Sequence, residues 1–256
     1  MREFSLQGLQ DALGGLGLRS GDDVIVHASL LTLGRLAGHD AAAIPTAIVQ
    51  CLLDVLGPQG TLTMPAFNFD FCKGVAFDRQ RTPCSTMGQL AETLRTWPGS
   101  RRSRHPLQSI SAVGVRADQY TDDAGEKAFT DDSAFGRLLH HDAWVILLGI
   151  NFQAASHIHA AEERVGVPYR YWKEFRGRYV DAGEEHEHRC WMYARDLQLD
   201  PQLNMARIEA ELIERRQLAT HRLGGGTVRA CRARDLVAAS EAVLRRDPMA
   251  LVVAPK

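Results

Sequence analysis

The chain has 256 residues, 45% of them hydrophobic and 24% charged, enough to bury one large core and too apolar to stay disordered. Thirty Lys and Arg against 31 Asp and Glu leave a formal charge of -1, without the basic footprint that a nucleic-acid partner needs. The odd set Cys51, Cys72, Cys84, Cys190 and Cys231 contains no CxxC pair and fits reduced thiols in a cytoplasm, and no apolar run has the length of a signal-peptide core or a membrane span.

In chain order, Leu6 to Leu16 has the spacing of an amphipathic helix, and Asp22 to Ala28 is a short, β-branched apolar run that predicts a buried strand. Helical spacing returns over Asp40 to Leu56, Gly57-Pro58 stops it, and Thr61 to Pro65 predicts a second strand. This strand, helix, strand order is that of a parallel βαβ unit. Asn68 to Ser85 has no period and reads as a long loop over the sheet. Thr86-Met87-Gly88-Gln89 has the form of a capping box opening a helix to Trp97. Gln108 to Val115 alternates like a strand, Ser133 caps a helix to Leu139, and Trp144 to Ile150 is the most apolar strand. Beyond Val167-Pro168, Phe175 to Val180 and His186 to Tyr193 predict a hairpin. Asn204 to Leu218 predicts a charged helix, Gly224 to Gly226 a flexible joint, Thr227 to Arg232 a strand and Arg234 to Leu244 a closing helix. The expected architecture is a three-layer α/β/α domain with a mainly parallel central sheet: one domain over 1–256, with a 1–167 core and a small hairpin and helical extension over 168–256.

The strongest chemical signal is the run Ser156 to Glu163, just beyond the carboxyl end of the most apolar strand, where open α/β sheets place their ligands. On a helix, His159 and Glu162 share a face, so the carboxylate can orient the ring and the ring can take a proton from a substrate. A solvated charged turn is the plainer alternative. Ser29-Leu30-Leu31-Thr32-Leu33-Gly34 joins a strand to a helix and could surround an anion with backbone amides, although it has neither a P-loop nor a G-x-G-x-x-G pattern. Ser109 and Ser111 fall on one face of their strand, and His105 is a candidate cleft residue, with a structural role as the plainer alternative. The His and acidic clusters at 140–142, 157–163 and 186–188 match no established zinc spacing, so no metal is expected.

Taken in order, HASLLTLG, LLDVLGPQGTLTMPAF, RTPCSTMGQLAETLRTWPG, RHPLQSISAVG and HIHAAEE resemble the aminoglycoside 3-N-acetyltransferase family, from about Asp22 to Glu163 with an echo over Gly224 to Val237. The resemblance implies acetyl transfer from acetyl-CoA to a small-molecule amine without a metal. It implies that Ser29 to Gly34 hold the CoA phosphates, that Thr86, Met87, Gly88, Ser109 and Ser111 flank the pantetheine arm, and that His159 and Glu162 are the catalytic pair. Asp70, His105 and Glu163 become candidates for acceptor binding. FDFCKG and VPYR look more like members that modify amino sugars in surface-glycan pathways, so a single amino sugar, free or nucleotide-linked, is the expected acceptor and an aminoglycoside the alternative. A metal-dependent hydrolase and a non-catalytic CoA-binding protein are the other readings. Neither nucleic acid nor membrane is expected as a partner, and a homodimer is compatible with the sequence.

Overall fold

The computed structural model describes residues 2–199 and 202–253. Its scaffold runs α1 (Leu6–Gly15), β1 (Asp23–Ala28), α2 (Ile44–Leu56), β2 (Thr61–Pro65), α3 (Gln89–Arg95), β3 (Arg101–Arg102) and β4 (Ile110–Gly114). It continues through α4 (Ala134–His140), β5 (Trp144–Leu148), α5 (Ile158–Val165), β6 (Arg170–Asp181), β7 (Glu184–Arg195), α6 (Ala206–Glu214), β8 (Ala219–Leu223), β9 (Gly226–Arg232) and α7 (Ala233–Arg246).

The central sheet has the order β8-β9-β5-β1-β2-β4-β3. β5, β1 and β2 are parallel neighbours, and antiparallel hairpins extend both sides, so five of the seven strands point one way. Strand alternation sorts the core into two layers. Val24, Val26, Ile146 and Leu148 pack with Leu9, Leu13, Ile48, Leu52, Leu90 and Leu94 from α1, α2 and α3. Ile25, Val145 and Leu147 point the other way, onto Phe135, Leu138, Ile158, Ile208, Leu212 and Leu236 from α4 to α7. Each such leucine or isoleucine adds about 1.5–3 kcal/mol by leaving water. The outcome is the expected α/β/α sandwich.

β6 and β7 pair along their full lengths, Arg170 opposite Arg195 and Asp181 opposite Glu184, and Phe77–Asp78 adds a third, parallel strand to this arm. The stretch 68–85 is therefore a loop interrupted by a 3-10 turn at Asp70–Lys73 and by that strand. Two local expectations are corrected, and one unforeseen strand is added. Gly224 and Gly225 form the tight turn between β8 and β9 rather than a flexible joint, with Gly225 N–H donating to Leu33 O at 2.8 Å. β8 itself escapes sequence reading because Thr220, His221 and Arg222 are exposed and polar. The capping box at 86–89 does not form: Ser85–Met87 is a 3-10 turn, and Gly88, at φ 90°, precedes the first helical residue.

Candidate active site

A cavity of about 960 Å³ opens at the carboxyl ends of β1, β2 and β5. Its floor comes from the strand ends Val26 to Ala28 and Met64-Pro65, its near wall from Ser29 to Leu31, and another wall from Thr86 to Ala91. Ser156 and His159 reach it from the β5–α5 connection and α5, while Arg170 and Met192 to Arg195 enter from the hairpin arm.

β5 ends at Leu148, and the chain turns through Gly149 and the short helical turn Phe152–Ala154 before α5 begins. The three-residue spacing places His159 and Glu162 side by side, with His159 Nδ1 2.5 Å from Glu162 Oε2. Glu162 is fully buried, and isolated burial would make its charge costly. Three groups offset that cost: His159, the Tyr169 hydroxyl donating to Oε1 at 2.9 Å, and the Arg170 guanidinium with Nε 3.0 Å from Oε2. Burial pushes the carboxyl upward, but His159 and Arg170 outweigh it and hold Glu162 below its ordinary range. An ionised acceptor on Nδ1 selects the tautomer with its proton there, and so leaves Nε2 of His159 as the ring's proton acceptor. The ring is 30% exposed and lines the cavity. Phe129 stacks edge-on against it at 5.5 Å.

Other candidates from the sequence divide. Ser29, Leu30 and Leu31 line the cavity, as do Thr86, Met87 and Gly88. A Cβ at Gly88 would meet nothing within 4 Å, so its backbone is open to a ligand. Thr32, Leu33 and Gly34 stand behind that wall. Thr32 Oγ1 has two carbonyl oxygens within reach of its one hydrogen, Ser29 O at 2.8 Å and Gly149 O, Leu33 is in the core, and Gly34, at φ 102°, lies against Arg2 O. Ser109 and Ser111 are buried away from the cavity, Ser109 between Ala66 O at 2.8 Å and the Arg102 guanidinium at 2.9 Å. His105 is a structural pin rather than a cleft residue: Nδ1 accepts from the amides of Leu107 and Gln108 at 3.2 and 3.0 Å, and Nε2 lies 3.2 Å from Trp191 O. Asp70 turns to Lys73 at 2.9 Å. Glu163 also lies off the cavity lining, and burial pushes its carboxyl up to about 7 despite Lys127.

Sequence reasoning passed over Tyr169, Arg170 and His27 as site residues. The first two form contacts across a proline-bearing turn that no helical spacing encodes. His27 carries a readable signal, a polar residue inside an otherwise buried strand. It is 5% exposed, its Nε2 is enclosed without a partner, and it lines the cavity. Such an unpaired buried nitrogen costs about 1–3 kcal/mol. Among the described residues, no three or more His, Cys, Asp and Glu side chains form a group able to hold a metal ion, and no helix is long and apolar enough to cross a membrane.

Several known proteins resemble this chain in sequence and fold. The model of the family described as aminoglycoside 3-N-acetyltransferase matches residues 25–245. Aminoglycoside N(3)-acetyltransferase IX from Micromonospora chalcea is 29% identical over 204 residues, covering 72% of this chain and 69% of that protein. The crystal structure of the apoenzyme of aminoglycoside acetyltransferase AAC(3)-IVa superposes with a TM-score of 0.80 at 26% identity, over 99% of this chain and 93% of the other. AAC-IIIb, solved as a binary complex with CoASH, shares the fold with a TM-score of 0.81 at 23% identity, over 99% of both chains.

Proposed function

Because the chain belongs to the aminoglycoside 3-N-acetyltransferase family and is thus an acyltransferase, we propose that it carries an acetyl group from acetyl-CoA to the amine of an amino sugar, with His159 as general base. The observation that supports this most is the buried relay of Tyr169 and Arg170 on Glu162, and Glu162 on His159, ending at the wall of a cavity of about 960 Å³. Such a cavity is large enough for a pantetheine arm together with a sugar-sized acceptor. In this reading Ser29 to Leu31 and Thr86 to Gly88 hold the coenzyme, Gly88 offering bare backbone. The hairpin arm supplies part of the same wall, so the whole chain works as one catalytic unit.

Acetyl-CoA, when bound, supplies an activated acetyl carbon: a C–N bond forms to it, the C–S bond breaks, and sulfur leaves with the bonding electron pair. His159 takes the proton that the amine must lose for this, a task worth about 10²–10⁴-fold in rate for a well-placed base. Glu162 keeps the imidazole turned and balances the positive charge it acquires. Arg170 and Tyr169 keep Glu162 in place.

Among the described residues, no Asp or Glu lines the cavity, whereas His27, His159, Arg170 and Arg195 do. Holding a scaffold with several ammonium groups calls for carboxylates in the wall. The lining therefore favours an acceptor with one amine over a polyamine drug. A thiol-release assay tests both levels. A monoamine amino sugar is expected to give a higher kcat/KM than kanamycin or gentamicin, and the reverse order overturns the acceptor assignment. His159→Ala is expected to lose at least about 10²-fold in kcat with CoA affinity within a few-fold. Unchanged kcat in that variant removes His159 from its role.

A further inference from the structure

We infer that the imidazole of His27 donates a hydrogen bond to the carbonyl oxygen of the bound acetyl thioester, so that two histidines divide the work of acetyl transfer. The inference rests on the acetyl-transfer reading of the cavity.

His27 follows Ile25 on the face of β1 turned toward α5, in register with Leu147 of β5, and lines the same cavity as His159. Yet the environments of the two rings are opposite. His159 has a carboxylate on Nδ1, whereas His27 has no protein hydrogen-bond partner on its enclosed Nε2. Burial pushes the His27 imidazole down to about 3, and the neighbouring His157 and His159 push the same way. It is therefore neutral at working pH, and a neutral imidazole always keeps one N–H to give. His157, also buried, already has Nε2 3.2 Å from Phe135 O and does not line the cavity.

The reaction needs such a donor. As the amine nitrogen bonds to the acetyl carbon, an electron pair of the C=O bond moves onto oxygen. It returns when the C–S bond breaks and sulfur departs with its pair, the amine proton having passed to His159. A hydrogen bond to oxygen in a dry, preorganised setting lowers this barrier more than it strengthens ground-state binding. A base-like ring tied to a carboxylate would be a poor choice for that position, and a neutral one held by burial suits it.

The test binds acetyl-CoA labelled with ¹³C at the thioester carbonyl to the intact protein without acceptor, and reads the carbonyl resonance. A downfield displacement is expected in the wild-type protein, lost in His27→Leu and partly kept in His27→Gln, whose side-chain amide still donates. In turnover, His27→Leu is expected to lose about 10²–10³-fold in kcat with KM for acetyl-CoA within a few-fold, and His27→Gln to recover part of that loss. Thermal unfolding of both variants checks the fold, and the glutamine variant alone decides if the leucine variant does not fold. An identical carbonyl resonance in the wild-type and variant proteins overturns the inference while leaving the acetyl-transfer reading intact. A wild-type protein that does not bind acetyl-CoA overturns both.

Discussion

Glu162 is held by three side chains at once, and each contact has a separable effect. Glu162→Gln keeps the shape but removes the charge that, in the proposed mechanism, His159 needs beside it when it accepts a proton. We expect kcat to fall about 10²–10⁴-fold with the acceptor KM within a few-fold, read from steady-state kinetics. The same change leaves the Arg170 guanidinium beside a neutral amide and should lower unfolding stability by about 1–3 kcal/mol in a urea titration. Tyr169→Phe deletes one hydrogen bond of 2.9 Å and leaves the ion pair. It should therefore cost only about tenfold in kcat, about 1.4 kcal/mol of transition-state stabilisation. Equal losses from the two variants would show that Tyr169, not the charge, is what orients the acid.

At the level of elements, the cavity wall depends on how β5 leaves the sheet. Gly149, at φ 70°, lets the chain pass so close to the helical turn at Leu30–Leu33 that a Cβ there would lie 2.5 Å from Thr32 Oγ1 and 2.6 Å from Ser29 O. Gly149→Ala is expected to destabilise the fold by about 1–3 kcal/mol through strain at that backbone angle and, by displacing Ser29 to Leu31, to weaken CoA binding at least several-fold by calorimetry. Stability loss with unchanged CoA affinity would separate that turn from the coenzyme. Elements whose cause is local were legible in the sequence: the short apolar runs behind β1, β2 and β5, the Ser133 cap, which accepts from Gly136 N–H, and the β6–β7 arm. His159 and Glu162 were legible for the same reason, since three residues on a helix suffice to join them. Thr86 and Gln89 mimicked a cap, but Gly88 between them adopts a positive φ that breaks the required geometry. Ser109, His105 and Asp70 looked available because sequence does not reveal Arg102, the Leu107 and Gln108 amides, or Lys73 waiting for them. Tyr169 and Arg170 meet Glu162 across the turn that follows α5, and His27 reaches the site from β1, contacts that depend on the fold and not on helical spacing.

For the molecule as a whole, two adjacent acids pull stability in opposite directions with pH. The folded-state pKa of Glu162 is depressed, so its contribution is present above the unfolded value and is lost as pH falls through the folded one. Glu163 is pushed up to about 7, so ionising it in the folded protein becomes a growing burden from the ordinary carboxylate range up to about that pH. Glu163→Gln should thus raise unfolding stability at pH 8 by about 1–2 kcal/mol, discounted for its partial exposure, and change it little at pH 4.5. An equal gain at both values would trace the effect to packing instead of charge. The continuity of the chain from α5 into the hairpin arm has a further consequence. Residues 158–195 carry, in one uninterrupted stretch, the proposed base, the two groups that grip its acid, and the arm of the wall holding Met192 and Tyr193. Retargeting the enzyme through that arm would therefore tug on the proposed proton acceptor itself, and new acceptors are more cheaply admitted at Phe67 and Phe69, cavity residues outside that stretch.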